Sequence, residues 1–371
     1  MKYNILSLFL LLGIFLAGCN KSTSKRQLVS LNGQWDFAVS LPNSSEIIPP
    51  VPPPDFQYRA PVPGLVDMAT ETIDSIGVNR QNRYFWYRKT FTLAGPYPDK
   101  VILKINKAKY GTWVFVNGKF KGKNEYCFTP TFMDIKELLK EPGQENELII
   151  AVGSYHSLPD TIINGWDFEK TRYIPGIYDD VGLILANDPF IRNVQVVPDI
   201  KKDKIKVVIF TEVRGNPELF KFKYLVTENA SGDFVTAGFT KVLHNPKQLD
   251  TTVLTINIER CHLWTPEDPF LYNLVISTPG DDFSTNFGMR EFYFDTISKR
   301  AMLNGKPYYM RGTNVCIYRF FEDHSRDALP WDKEWVRKLH ETFKSMHWNS
   351  IRYCIGFPPE IWYDIADETG F

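Results

Sequence analysis

The spacing of apolar and polar positions changes character once along the chain. Up to about residue 300, apolar residues come in short runs, alternating with polar ones or rich in aromatic and β-branched side chains. Residues 84–93 (YFWYRKTFTL), 101–105, 112–116, 119–122, 147–152 and 177–185 are of this kind and predict strands. Asn117-Gly118 lies between two of them and predicts a hairpin, because both residues tolerate the positive φ of a two-residue turn. Leu31, Trp35 and Phe37 are core candidates, 47–55 reads as an extended Pro-rich loop, and 132–139 as a short helical turn. A second set follows at 191–197, 204–213, 220–227, 251–258, 272–277 and 286–295, with 263–269 an irregular connection. Many short strands with turns and no long helix predict two β-sandwiches, the first of jelly-roll type and the second immunoglobulin-like in size.

From residue 302 the period shifts. Asn304-Gly305 predicts a tight turn, and Tyr308-Tyr309-Met310 a buried strand with Arg311-Gly312-Thr313-Asn314 at its C-terminal end. Pro330 and Asp332 open a helix, with Asp332 as N-cap and Trp335, Val336, Leu339, Phe343 and Met346 on one face. Residues 351–355 predict a second strand. Pro358-Pro359 introduce a second helix, with Ile361, Trp362, Ile365 and Ala366 apolar and Gly370 as its stop. Strand, helix, strand, helix is the opening of a (β/α)8 barrel, which needs about 250 residues in full. The remaining barrel units are therefore expected beyond residue 371. Polar residues at the ends of such strands stand where a barrel keeps its reactive groups.

Length and charge sharpen this picture. A chain of 371 residues accommodates two or three domains, and the aromatic content of 15% suits β-sandwiches. The formal net charge of zero gives no global pull toward nucleic acid or anionic lipid, and no Lys/Arg stripe stands out along the chain. At the N-terminus, Lys2 precedes an apolar stretch over 5–15 that is shorter than the roughly 20 residues of a membrane-spanning helix. Leu16-Ala17-Gly18-Cys19 closes it and resembles the lipobox of bacterial lipoproteins, with Cys19 the lipidated residue. This predicts a signal peptide over 1–19, a tether over 20–27 and anchorage in the cell envelope, at the periplasmic face or the outer-membrane surface. The other cysteines, Cys127, Cys261, Cys316 and Cys354, form no metal-like pair and are too sparse for a disulfide framework.

Taken in order, the motifs resemble glycoside hydrolase family 2, the group of β-galactosidases, β-glucuronidases and β-mannosidases. Leu31-Asn32-Gly33-Gln34-Trp35, Pro63-Gly64-Leu65, Trp86-Tyr87-Arg88-Lys89, Val116-Asn117-Gly118 and the run 176–181 are similar to its sugar-binding domain. Residues 263–272 and Phe287-Gly288-Met289-Arg290 resemble its second domain, and Asn304-Gly305-Lys306-Pro307 with 311–314 the entry to its barrel. The resemblance implies a jelly roll over 28–187, an immunoglobulin-like sandwich over 188–295 and the start of a catalytic barrel over 296–371. It implies hydrolysis of O-glycosyl bonds at the non-reducing ends of oligo- or polysaccharides, with no cofactor or metal, a carbohydrate substrate and no nucleic-acid partner. A non-catalytic carbohydrate-binding envelope lipoprotein is the alternative.

The family's chemistry needs two carboxylates about 5–5.5 Å apart for retention. No position of this chain corresponds to either. Asp323, Asp327, Glu334, Asp364, Asp367 and Glu368 are expected to be caps and solvated faces, so no catalytic residue is assigned. The resemblance does imply substrate-binding positions: Asn314 and Arg352 at the first two barrel strands, and Asp167 from a sandwich loop. Arg352 would hold a carboxylate with its fork or pair with a neighbouring acid for structure. Trp166 would stack on a sugar or seal the sandwich edge. Where the family commonly carries His, this chain has Cys316 and the Tyr353-Cys354-Ile355-Gly356 run. Cys316 and Cys354 would lie at adjacent strand ends, where an oxidising envelope permits a disulfide.

Overall fold

The computed structural model describes residues 25–40, 50–70, 83–170, 172–213, 218–244, 249–323 and 325–371. The expected signal peptide with Cys19, and the tether up to residue 24, lie outside the described residues. The chain is a mainly-β, multidomain protein.

Its first β unit opposes two antiparallel sheets. One runs Tyr58–Val62, Gly33–Ser40, Tyr84–Thr92, Glu145–Gly153, Thr112–Val116, Lys119–Asn124; the other Gln27–Ser30, Val181–Ala186, Lys100–Ile105, Thr131–Asp134. Successive side chains of a strand leave on opposite faces. In Tyr84–Thr92 this sends Phe85 and Tyr87 into the core shared with Trp35, Phe37, Leu103 and Leu183. Tyr84 and Trp86 go the other way, against Trp113, Phe115 and Phe56, so the outer face of the central strands is covered too. The hairpin at Asn117-Gly118 forms as expected, with φ of 50° and 76°. Residues 132–139 divide into a strand, Thr131–Asp134, and a single 3-10 turn, Lys136–Leu138.

The second β unit packs a three-stranded sheet, Phe190–Asp199, Lys204–Glu212, Asp250–Asn257, on a four-stranded one, Phe234–His244, Glu218–Glu228, Tyr272–Ser277, Asp282–Phe287. Ile205, Val207, Phe222, Leu274 and Ile276 form the centre of its core. The Phe234–His244 strand has no counterpart in the sequence expectations. The single strand expected over 286–295 is broken: Asp282–Phe287 ends in this unit, and Phe292–Phe294 pairs instead with Ala301–Leu303.

Beyond that hairpin, Gly312–Cys316 and Ser350–Cys354 pair in parallel. The first strand starts later than expected. Tyr308–Met310 is not a strand, and Tyr309 is 81% exposed. Asn349 replaces the ladder there: its Oδ1 accepts Arg311 N–H at 2.8 Å and its Nδ2 donates to Tyr309 O at 3.1 Å. Three helices follow these strands: α1 (Ile317–Glu322), α2 (Lys333–Ser345) and α3 (Glu360–Thr369). Asp332 caps α2 by accepting the N–H groups of Glu334 and Trp335. Val336 and Phe343 face inward as expected, whereas Met346 is exposed and His340 is fully buried beside them. Gly370 ends α3 in the left-handed region, φ 89°. Val315, Phe321, Val336, Phe343, Trp362 and Ile365 join the core of the first β unit in one continuous cluster.

Helix α3 is held at both ends. At its start, Asp179 Oδ2 accepts the Glu360 N–H at 3.0 Å and the Lys107 ammonium at 2.8 Å. Near its end, Trp264 Nε1 donates to Asp367 O at 2.9 Å, and Arg290 pairs with the Asp367 carboxylate at 3.0 Å.

Candidate functional site

The parallel pair has a dry side and a wet side. Val315, Ile351 and Tyr353 point to the helices and pack on the core. Asn314 and Arg352, directly opposite each other in register, leave on the other side and are exposed. Arg352 makes no ion pair among the described residues. One step further along, Cys316 and Cys354 are again opposite, with their sulfurs 3.2 Å apart and both thiols free. Burial, then the hydrogen bond with Cys316, pushes the Cys354 thiol up to about 11. Gly312 has no alternative at the strand start: a Cβ there would lie 1.6 Å from Ser350 O.

The strand from Ser350 ends in a strained turn. Ile355 has φ 59°, a region that a β-branched residue rarely enters. Tyr178 of the first β unit donates to Phe357 O at 3.1 Å and holds the turn from outside. The loop of Asp167 leans on this same turn. A Cβ on Gly165 would sit 3.0 Å from Phe128 and 3.6 Å from Ile355 O, and the Asp167 charge reaches the Cys354 thiol. Asp167 Oδ1 accepts the Glu169 N–H at 2.8 Å, so the loop supports its own shape. Trp166 is 65% exposed and does not seal the sandwich edge. The fold brings Asp167, Asn314 and Arg352 to one region. Asn314 sits in the middle of its strand rather than beyond the end.

Sequence reasoning missed the buried charge cluster underneath. Glu322 Oε1, at the end of α1, takes Lys109 Nζ at 2.5 Å and Lys170 Nζ at 3.1 Å, all three side chains almost without solvent. Burial, then the neighbouring Lys109 charge, lowers Lys170 to about 8. No local pattern could have revealed it, because its members are far apart in the chain. The carboxylates of the α/β part have mainly structural surroundings. Asp323 accepts from Ser325, Asp367 pairs with Arg290, Glu368 with Arg337, Glu334 lies in the first turn of α2, and Asp327 and Asp364 are exposed.

The profile described as "Glycosyl hydrolases family 2" matches residues 190–290. The beta-galactosidase of Thermoanaerobacter pseudethanolicus is 28% identical over 236 residues, 62% of this chain and 31% of that protein. The matched region and this relative support membership of glycoside hydrolase family 2. The chain's similarity to the beta-galactosidase large subunit of Leuconostoc lactis, 24% identical over 329 residues, takes in 86% of this chain and 47% of that one. The chain thus spans between 31% and 47% of the length of these curated relatives. Among solved structures, the Faecalibacterium prausnitzii beta-glucuronidase superposes with a TM-score of 0.71 at 23% identity, covering 93% of this chain and 59% of that chain. That likeness shows the shared fold.

Proposed function

We propose that this chain forms the sugar-facing front of an envelope-anchored glycoside hydrolase acting on non-reducing-end sugars of oligo- or polysaccharides. In this reading residues 28–187 are the jelly roll, 188–295 the immunoglobulin-like sandwich and 296–371 the first units of a (β/α)8 barrel, with Cys19 carrying the lipid. The observation that carries it is the Asn314–Arg352 pair, exposed on a parallel strand pair beside the Asp167 loop. A guanidinium without an ion pair among the described residues, beside an amide, offers both a charged fork and a neutral donor–acceptor, a combination suited to sugar hydroxyls or a sugar carboxylate. The two reacting carboxylates are assigned to later barrel strands.

The test is to read the coding sequence past residue 371 and assay the product on nitrophenyl β-glycosides. Further βα units bearing two facing carboxylates, with turnover that falls by tenfold or more on Arg352→Ala, are the expected result. A stop codon directly after residue 371 removes the enzymatic reading. The structural engagement of Asp323, Asp367 and Glu368 favours the second reading, a carbohydrate-binding lipoprotein without turnover. That reading is met by glycan binding with no hydrolysis.

A further inference from the structure

Sheet faces of the second β unit differ in a way that its core does not require. On the outer face of the four-stranded sheet, neighbouring strands Glu218–Glu228 and Phe234–His244 pair Leu219 with Leu243, Lys221 with Lys241, Lys223 with Phe239, and Leu225 with Ala237. Leu219, Phe239 and Leu243 are 60%, 60% and 67% exposed, and all three lysines are exposed. Lys221 lies over the Phe239 ring at 4.8 Å. Like charges placed directly across two strands are unfavourable in an isolated sheet. No acid stands among these eight side chains to relieve them. In sequence the lysines are separated by apolar residues and form no stripe; only the strand pairing gathers them.

The chain's entry point lies on the same face. Lys25, the first described residue, donates its backbone N–H to Asp282 Oδ2 at 2.9 Å. Asp282 stands in one cross-strand row with Ser277, Lys223 and Phe239. That row spans about 15 Å at the usual strand spacing. Cys19 precedes Lys25 by six residues, which reach at most about 20 Å when extended. A lipid on Cys19 would therefore hold the bilayer surface within about that distance of the row.

We propose that the outer face formed by Leu219, Lys221, Lys223, Phe239, Lys241 and Leu243 docks on an anionic lipid bilayer, laying this sheet against the membrane. The proposal rests on the reading of Cys19 as the lipid-bearing residue. Lysines next to an anionic leaflet are attracted to it, and the interleaved Leu and Phe side chains suit the headgroup boundary. The lipid on Cys19 would supply the anchorage, and the basic, apolar-studded face would set which side of the unit lies against the surface.

The test uses the full chain, processed and lipidated, in vesicles of phosphatidylethanolamine with phosphatidylglycerol and in vesicles of phosphatidylcholine alone. Acetylation of each lysine is followed by mass spectrometry, and the acyl state of Cys19 is read from the same digests. Lys221, Lys223 and Lys241 are expected to react several-fold more slowly in the anionic vesicles, while Lys119 and Lys338 do not change. Salt and Phe239→Asp are expected to reverse the protection. Equal reactivity in both vesicles overturns the docking face. So does protection that is the same without anionic lipid and grows with protein concentration, because a second copy would then cover the face. An unacylated Cys19 with protection retained overturns the anchor and keeps the face; acylation without protection does the reverse.

Discussion

Asp179 Oδ2 accepts the backbone N–H of Glu360 at 3.0 Å, so a residue of the first β unit caps a helix 181 positions later. The same oxygen takes Lys107 at 2.8 Å, and both side chains are buried. Asp179→Ala leaves the Lys107 ammonium with only the partly exposed Glu360 and uncaps α3. Breaking a buried pair from one side costs about 3–5 kcal/mol. Urea denaturation is expected to show a loss of that order, and Asp179→Asn, which keeps an acceptor for the helix, a smaller one. A loss under about 1 kcal/mol for Asp179→Ala, the value of an ordinary cap, would show that Lys107 needs no such partner.

Gly312→Ala tests the parallel pair. The added methyl meets Ser350 O at 1.6 Å, and backbone cannot move aside as a side-chain tip can. The expected cost is about 3 kcal/mol, at the upper end of ordinary overpacking. Amide exchange in Ser350–Cys354 is expected to accelerate more than exchange in Tyr84–Thr92. Uniform acceleration would mean that the strands are not the site of damage.

Lys170 gives stability a defined pH dependence. Its folded pKa of about 8 lies below the unfolded value near 10.5, so between these pH values the unfolded chain binds more protons. Stability contributed by this group therefore rises with pH across the 8 to 10.5 window and is flat below it. The slope is at most about 1.4 kcal/mol per pH unit. Lys170→Met is expected to remove that rise relative to the unsubstituted protein, measured by denaturation at a series of pH values.

Cys316 and Cys354 are poised to bridge when an oxidant such as oxidised glutathione is supplied. With the Cys354 thiol raised to about 11, little thiolate exists at neutral pH. Bridging is expected to be slow at pH 7 and to quicken as pH rises, followed by the disappearance of two alkylatable thiols. Rapid, pH-independent bridging would contradict the buried setting of Cys354.

How much of this was legible depended on whether the deciding interaction was local. The aromatic run at 84–93, the Asn117-Gly118 hairpin, the Asp332 cap and the Gly370 stop all carry their cause within a few residues, and each formed. Helix α1 is six residues long, too short for a period to register. The Phe234–His244 strand is an edge with Gly238 and Ala237 in its middle and no clean alternation. Tyr308–Met310 looked like a buried strand because it is apolar, yet Asn349, some forty residues on, claims its backbone. For the candidate site, the family resemblance pointed to Asn314 and Arg352, and the strand register sets them opposite each other. The Cys316–Cys354 contact followed from strand adjacency. The Lys109–Glu322–Lys170 cluster depends wholly on tertiary placement.

Helix α3 has ten residues and rises about 15 Å, with Asp179 gripping one end and Arg290 and Trp264 the other. It behaves as a gauge rod between two β units that share no sheet. Adding a single residue would turn its far end by about 100° and swing Asp367 off its partners while Glu360 stayed seated. The helix can change in composition, but its length is set jointly by both neighbours, and the angle between those neighbours is in turn set by it.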